Sequence, residues 1–287
     1  MTDAAVSSPT APDAQAASLR LATIPFIRAM GMTARPAAAP TALTSITHRD
    51  AFAPHAGAGV FCDAVVAAAI DQAGSAAIWL GQGLSFPHAT VTLSVTFTAA
   101  ARAPRLDFEA WATSLAHGLG HTVVEAREPG GVLVAHAMVN YALGVYPGDA
   151  GQSSTAPLAD PSRLEGQVIP DLAGADIVEA LGLRTDGDEA VRMPFGVHLV
   201  GSRDPVALHG GAIVAAMIVA AGRRAPEGLR LSHLVVDYLR SGLARETTFR
   251  ASIVSQSRKT MTVRIDALQD AGDRLVATAT ARFFAAT

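Results

Sequence analysis

The chain has 287 residues, of which 50% are hydrophobic and only 16% are charged. A single cysteine excludes an internal disulfide framework. A formal net charge of −3 excludes recognition of nucleic acid or anionic membranes by bulk charge, so we expect neither as a partner. The length suits one large domain or two modest ones.

The N-terminal residues 1–19 are rich in Ala, Ser and Pro, which is typical of a disordered tail. They carry an acidic residue and no apolar core, unlike a secretory signal, so we expect a cytoplasmic protein. The longest uncharged apolar run, residues 206–222, contains a His-Gly-Gly sequence. This run is better explained as a buried helix than as a membrane span.

Four sequence features occur in the same order in both halves of the chain, about 140 to 150 residues apart. They are a short amphipathic segment ending in glycine, a long apolar helix, an alternating strand, and a glycine turn leading into another strand. The first copy has them at 26–31, 62–79, 90–97 and 130–141, and the second at 177–182, 209–222, 232–239 and 272–283.

This repeat predicts two tandem α+β domains, each a long apolar helix wrapped by a curved antiparallel sheet. The N-terminal domain is expected at 20–146 and the C-terminal domain at 171–287. Between them, residues 147–170 are rich in Gly, Ser and Pro and are expected to form a linker.

The second long helix begins with His209-Gly210-Gly211, and both closing strands contain Leu-Val-Ala after a glycine. This combination resembles the hotdog fold, in particular the His-Gly-Gly branch of acyl-CoA thioesterases related to the phenylacetate-pathway enzymes. Two copies in one chain resemble a double hotdog. The resemblance implies an acyl-CoA substrate, with coenzyme A as part of the substrate, and neither a cofactor nor a metal. Sheet edges and alanine-rich faces lead us to expect a homo-oligomer.

When the sequences of the two long helices are aligned, Asp71 matches Ile218, and Cys62-Asp63 matches His209-Gly210. In the family that the chain resembles, the catalytic carboxylate of one helix faces the helix N-terminus of the other copy. We therefore expect one complete composite site, formed by Asp71 and the His-Gly-Gly sequence. The reciprocal site lacks a carboxylate at Ile218.

An isolated carboxylate in an apolar helix has a raised pKa, while a facing helix N-terminus favours its charged form. Asp71 is accordingly interpreted as a general base or a nucleophile. Alternatively, it emerges at a solvated edge or pairs with an arginine. The amide of Gly210 is expected to polarise the substrate carbonyl, with Gly211 allowing close approach. Alternatively, the glycines only relieve crowding.

The resemblance assigns Thr90 to support of the attacking water, and His209 to contact with the thioester or to holding the loop. Arg240, Arg258 and Lys259 are candidates for binding the coenzyme A phosphates, because arginine suits bidentate phosphate contact. The family often has an Asn six residues before the His, where this chain has Arg203. Two other functions remain open: a non-catalytic acyl-CoA or acyl-lipid binding module, and a hydratase or dehydratase of the same fold.

Overall fold

The structure is a computed structural model that describes residues 18, 21–38, 40–49, 52–53, 61–81, 88–144, 168–169, 175–186, 190–203 and 206–285. The predicted N-terminal tail, except Ser18, lies outside these residues. The predicted linker lies outside them as well, except Val168 and Ile169. Within the described ranges, no helix has the length and apolar character needed to cross a membrane.

The first half of the chain has two helices and six strands in its described part. They are α1 (Pro25–Met30), β1 (Thr33–Pro36), β2 (Thr41–Thr47), α2 (Asp63–Ala76), β3 (His88–Phe97), β4 (Arg105–Ala116), β5 (Leu119–Arg127) and β6 (Leu133–Leu143). One π-helical turn, Ala77–Gly81, continues α2.

The second half repeats this sequence of elements and adds a short hairpin. Its elements are α3 (Ile177–Ala180), β7 (Arg184–Asp186), β8 (Ala190–Met193), a 3-10 turn (Val197–Leu199), β9 (Val200–Arg203), β10 (Val206–Leu208), α4 (Gly210–Gly222), β11 (Leu229–Tyr238), β12 (Thr247–Gln256), β13 (Thr260–Gln269), a 3-10 turn (Asp270–Gly272) and β14 (Arg274–Ala285).

Twelve strands form one antiparallel sheet in the order β1-β2-β4-β5-β6-β3-β11-β14-β13-β12-β8-β7. The last six strands repeat the order of the first six in reverse, and β3 pairs with β11 at the centre. Strands β9 and β10 form a separate hairpin.

Register irregularities recur at matching places in the two halves. The pairing of β3 with β6 shifts after Thr90, which lies opposite Tyr141. The pairing of β11 with β14 shifts in the same way after Leu231, which lies opposite Phe283. Thr90 and Leu231 therefore occupy equivalent positions, as do Tyr141 and Phe283.

The two long helices pack against each other and against the inner face of the sheet. Helix α2 contacts β2, β4 and β5, and α4 contacts β12 and β13. Both helices are buried over most of their length, and each fully buried Val or Ile stabilises the fold by about 1.5 to 3 kcal/mol. A large antiparallel sheet packed against a few helices agrees with the predicted fold class.

Glycine is required where the helices cross. A Cβ at Gly211 would lie 2.9 Å from the carbonyl oxygen of Ala68 on α2, closer than side-chain carbons approach in practice. Helix α1 lies against the second half of the chain, beside the 3-10 turn Val197–Leu199 and β9. The first half thus contributes both α1 and α2 to the surroundings of the N-terminus of α4.

Candidate active site

Asp71 is buried within α2 and faces the start of α4. Only 2% of its surface is exposed. A Cβ on Gly210 would lie 2.9 Å from Asp71 Oδ2. The structure therefore brings together the carboxylate of the first half and the helix N-terminus of the second half, as the resemblance to the hotdog family implies.

Two hydrogen bonds hold the Asp71 carboxylate. Thr90 Oγ1 donates to Oδ1 at 2.7 Å, and the backbone N–H of Gly211 donates to the same carboxylate. Burial raises the pKa of Asp71 to about 6, and these two hydrogen bonds limit the rise because they favour the charged form. The carboxylate is at no solvated edge, and no arginine among the described residues forms an ion pair with it.

His209 caps α4 and is an acceptor at Nδ1. The N–H of Gly211 donates to this atom at 2.9 Å, so the ring proton is on Nε2, which lies 3.2 Å from Gln72 Oε1 and donates to it. The Phe26 ring stacks on the imidazole with a centroid separation of 4.6 Å. Burial, together with the nearby His88, lowers the pKa of His209 to about 3.

His209 is therefore neutral at physiological pH. Its ring contacts the Gly211 N–H, the Gln72 side chain and the Phe26 ring. Its Nδ1 lies 3.3 Å from Asp71 Oδ2, but an unprotonated nitrogen forms no ion pair with a carboxylate. Of the two roles that the sequence leaves open, this geometry favours holding the loop and the helix N-terminus. It does not favour proton transfer.

The backbone N–H of Gly210 differs from the next two N–H groups of α4 in its hydrogen bonding. In the first turn of α4, the N–H of Gly211 is bonded to His209 Nδ1, and the N–H of Ala212 is bonded to the His209 carbonyl at 3.0 Å. The Gly210 N–H has no acceptor in the part of the chain that the structure describes. An unpaired amide at a helix N-terminus is suited to bind an oxygen that gains negative charge.

Two tyrosines with no role predicted from the sequence also contact these backbones. Tyr238 Oη donates to the Gly210 carbonyl at 3.1 Å, and Tyr141 Oη donates to the Asp71 carbonyl at 2.7 Å. Burial and the Asp71 charge raise the pKa of both hydroxyls well above the usual value, so both stay protonated donors. In the sequence they differ from their counterparts only by the hydroxyl, since Phe97 occupies the position equivalent to Tyr238 and Phe283 the position equivalent to Tyr141.

A second polar cluster, also absent from the sequence analysis, lies one turn beyond Asp71. Trp79 Nε1 donates to His88 Nδ1 at 2.6 Å, so the proton of the neutral ring is on Nε2, 2.7 Å from Ser75 Oγ. The His88 ring packs edge-on against Tyr141 at a centroid distance of 5.2 Å. The indole N–H can only donate, so it occupies the unprotonated Nδ1 of His88. The nitrogen that faces Ser75 therefore already carries the ring proton, and His88 cannot accept a proton from Ser75.

The reciprocal place at the start of α2 is mostly apolar. Ile218 replaces Asp71 there, Leu231 replaces Thr90, and Cys62 replaces His209. The two tyrosines, Tyr141 and Tyr238, are replaced by Phe283 and Phe97. Asp63 stands where α4 has Gly210, and burial raises its pKa to about 6 despite the nearby Arg230. Burial also raises the pKa of the Cys62 thiol to about 12, which makes it unreactive.

The basic residues singled out from the sequence lie at two different ends of β11. Arg240 follows Tyr238 by two residues and is exposed at the Asp71 end. Arg258 and Lys259 lie beside Leu229, at the opposite end of the strand. The structure does not bring Arg258 and Lys259 to the Asp71 site. The Arg203 side chain lies outside the described residues.

A family model described as acyl-CoA thioesterase N-terminal domain matches residues 200–284. This range contains β10, the His209 cap, α4 and strands β11 to β14. A comparison with curated proteins finds no match.

Solved structures resemble most of the chain at low sequence identity. A protein of unknown function with a hotdog fold from Alicyclobacillus acidocaldarius is 13% identical, covers 85% of this chain and 93% of its own, and has a TM-score of 0.55. For the tesB protein of Mycobacterium avium subsp. paratuberculosis the identity is 14%, the coverage 85% and 93%, and the TM-score 0.53. For an acyl-ACP thioesterase from Bacteroides thetaiotaomicron the identity is 10%, the coverage 85% and 98%, and the TM-score 0.52. The expected hotdog fold is confirmed.

Proposed function

We propose that this protein hydrolyses acyl-CoA thioesters at one composite site between its two halves. The match of residues 200–284 to an acyl-CoA thioesterase family model supports the reaction class. The His209-Gly210-Gly211 sequence at the start of α4 supports membership of the His-Gly-Gly branch of that class. In this proposal, coenzyme A is part of the substrate and no other cofactor is needed.

One observation carries the proposal: a buried carboxylate faces an unpaired helix N-terminal amide. The pKa of Asp71, raised to about 6, leaves the group ionised at neutral pH and able to take a proton. The Gly210 N–H is the donor for the thioester oxygen. One donor of this kind contributes about 3 kcal/mol to transition-state stabilisation.

In the general-base route, Asp71 takes a proton from a water that adds to the thioester carbon. The carbonyl oxygen becomes an oxyanion, which the Gly210 N–H stabilises together with the dipole of α4. The oxyanion then reforms the carbonyl, the C–S bond breaks, and the proton passes from Asp71 to the leaving thiolate. Thr90 orients the carboxylate through its hydrogen bond to Oδ1.

In the nucleophilic route, Asp71 itself attacks the thioester carbon and releases the thiolate. The mixed anhydride that results is hydrolysed by water to regenerate the carboxylate. Both routes use the same carboxylate and the same amide, so both depend on Asp71 and Gly210 in the same way.

We also propose that the chain is a double hotdog with one functional site. The mirrored strand order and the recurring bulges support two tandem copies. The loss of the carboxylate at Ile218 and of the glycine at Asp63 supports a single site. The predicted homo-oligomer and the cytoplasmic location remain part of the same proposal.

The test is release of free thiol from a panel of acyl-CoAs, with Asp71→Asn compared with Asp63→Asn. Asp71→Asn is expected to lose about 10² to 10⁴ in kcat, the usual effect of removing a catalytic acid or base. Asp63→Asn removes the acid at the start of α2, which stands where α4 has Gly210, and is expected to keep full activity. Equal turnover by wild type and Asp71→Asn would rule out the mechanism.

Saturable acyl-CoA binding without turnover by the wild type would instead establish a binding module. The hydratase alternative is disfavoured by His209, because burial lowers its pKa to about 3 and its Nδ1 is occupied by the Gly211 N–H. Such a residue does not donate or accept a proton at neutral pH.

A further inference from the structure

A buried guanidinium lies near the Asp71 end of β11. Arg274, the first residue of β14, has only 5% of its surface exposed. Its Nη2 donates to the Ser241 carbonyl at 2.8 Å. Its Nε is buried and has no hydrogen-bond partner among the described residues. A buried charge that is not fully paired is costly unless a ligand completes its contacts.

Two further arginines, Arg240 and Arg245, lie near Arg274. Arg240 precedes Ser241, whose carbonyl Arg274 binds. Arg245 is ion-paired with Asp270. Burial lowers the pKa of Arg274 most, and the charges of Arg240 and Arg245 lower it further against the opposing effect of Asp270. Three guanidinium groups therefore share one carboxylate, which leaves a local excess of positive charge.

The loop that carries these arginines is attached to the candidate active site. The N–H of Leu243 donates to Gln269 Oε1 at 3.1 Å, and the N–H of Leu208 donates to the Gly242 carbonyl at 2.7 Å. Leu208 directly precedes His209. Arg240 is two residues from Tyr238, whose hydroxyl binds the Gly210 carbonyl, so the Cα atoms of Arg240 and Tyr238 are at most about 7 Å apart.

The first half of the chain has no such cluster at the equivalent place. The N–H groups of Leu239 and Arg240 both donate to the Val276 carbonyl, and those of Thr98 and Ala99 both donate to the Val134 carbonyl. Ala99 thus stands where the second half has Arg240. By the same register, Val132 stands where it has Arg274. Arg240 and Arg274 therefore have no basic counterpart in the first half.

We propose that Arg240 and Arg274 bind the phosphate of the substrate's phosphopantetheine arm. Arginine matches a phosphate with two parallel N–H donors, and the unpaired Nε of Arg274 supplies a donor at this place. Acyl-CoA and acyl carrier protein both present a phosphate on this arm. The inference rests on the proposed thioesterase function and adds the residues that hold the polar end of the substrate.

The test compares three thioesters of one acyl group in the thiol-release assay: acyl-CoA, acyl carrier protein and acyl-pantetheine, which has no phosphate. Arg240→Gln is expected to raise the KM for the phosphorylated substrates about tenfold, the loss of one charge-assisted hydrogen bond, without a change in kcat. Its KM for acyl-pantetheine is expected to stay at the wild-type value. Whichever phosphorylated substrate has the higher kcat/KM in the wild type identifies the source of the phosphate.

Arg282→Gln is the matched control, since Arg282 is exposed on the same strand as Arg274. It is expected to leave every KM unchanged. The proposal is overturned if Arg240→Gln raises the KM for acyl-pantetheine equally, or changes no KM. It is also overturned if Arg258→Gln, at the other end of β11, has the larger effect.

Calorimetric binding of free coenzyme A separates this inference from the proposed function, because it requires no catalysis. If no thioester is hydrolysed, binding that is weakened in Arg240→Gln and unchanged in Arg282→Gln supports the phosphate site while the thioesterase fails. Equal binding by wild type and Arg240→Gln, or no binding by the wild type, overturns the site.

Discussion

Thr90 Oγ1 donates a 2.7 Å hydrogen bond to Asp71 Oδ1 and favours the charged form of the carboxylate. Replacement of Thr90 by Val keeps the shape of the side chain and removes the donor. The pKa of Asp71 is then expected to rise above its present value of about 6. The acid limb of the kcat/KM profile should move to higher pH, which a series of thiol-release rates between pH 5 and 8 would measure.

Thr92→Val is the control for this change. Thr92 lies on the same strand but accepts from Asn140 at 2.6 Å, away from Asp71. Its profile should match the wild type. If Thr90→Val lowers activity equally at every pH, then Thr90 does not act through the pKa of Asp71.

Asp71 also links stability to pH. Its folded-state pKa is raised from 3.8 to about 6, so between these values the folded state binds more protons than the unfolded state. The stability that the protonated carboxyl gives is complete below about pH 4 and is lost as the pH rises through about 6. Asp71→Asn should therefore be more stable than the wild type at pH 7.5, by up to about 3 kcal/mol, and gain little at pH 4.

Denaturant unfolding of both proteins at several pH values checks this linkage. The difference in unfolding free energy between Asp71→Asn and the wild type should grow from pH 4 to pH 7.5. A difference that stays constant over this range would show that the ionised carboxylate has no net cost in the folded protein.

Gly210 is the second residue whose identity the site requires. An Ala at this position would place its Cβ 2.9 Å from Asp71 Oδ2, and the carboxylate cannot move away without breaking its bond to Thr90. Gly210→Ala is expected to lower kcat by about 10² to 10³, the effect of disturbing an oxyanion donor. Steady-state kinetics with one acyl-CoA is the measurement.

Gly222→Ala is the matched control at the other end of α4. No atom lies within 4 Å of the position that a Cβ on Gly222 would occupy. This variant should keep wild-type kcat and gain slightly in stability, because Ala is the better helix former. If Gly210→Ala also retains full kcat, the Gly210 amide is not the oxyanion donor.

The sequence predicted the elements of this site that depend on apolar patterning. The long apolar helices and the strand that begins near Thr90 follow from the repeat, and the placement of Asp71 opposite Gly210 follows from the resemblance to the hotdog family. The hydrogen bonds of His209 did not follow. The ring is held by contacts with Gln72 and Phe26, which lie far from it in the chain.

Arg274 and the two tyrosines show a second limit of sequence reasoning. In the sequence, a single Arg at the start of a strand resembles an exposed surface charge. The fold leaves only 5% of Arg274 exposed and brings its guanidinium to the Ser241 carbonyl. Tyr141 and Tyr238 resemble ordinary strand aromatics, since Phe283 and Phe97 occupy the equivalent strand positions. Their function depends on hydroxyls whose direction no periodicity encodes.

The last prediction concerns Tyr238. Its hydroxyl donates to the carbonyl oxygen of the peptide group that joins Gly210 to Gly211, and the N–H of that group contacts His209 and Asp71. A hydrogen bond to a carbonyl fixes the peptide plane and strengthens the attached N–H as a donor. Tyr238→Phe is expected to lower kcat about fivefold with an unchanged KM, since a neutral hydrogen bond contributes about 1 kcal/mol.

Phe97→Tyr is the matched control, because Phe97 occupies the equivalent position in the first half, where Ile218 replaces the carboxylate. It is expected to change neither kcat nor KM. The presence of Phe at that position also indicates that the fold accepts Tyr238→Phe, so its thermal midpoint should stay close to that of the wild type. A raised KM with wild-type kcat would mean that Tyr238 contacts the substrate directly and does not act through the Gly210–Gly211 peptide.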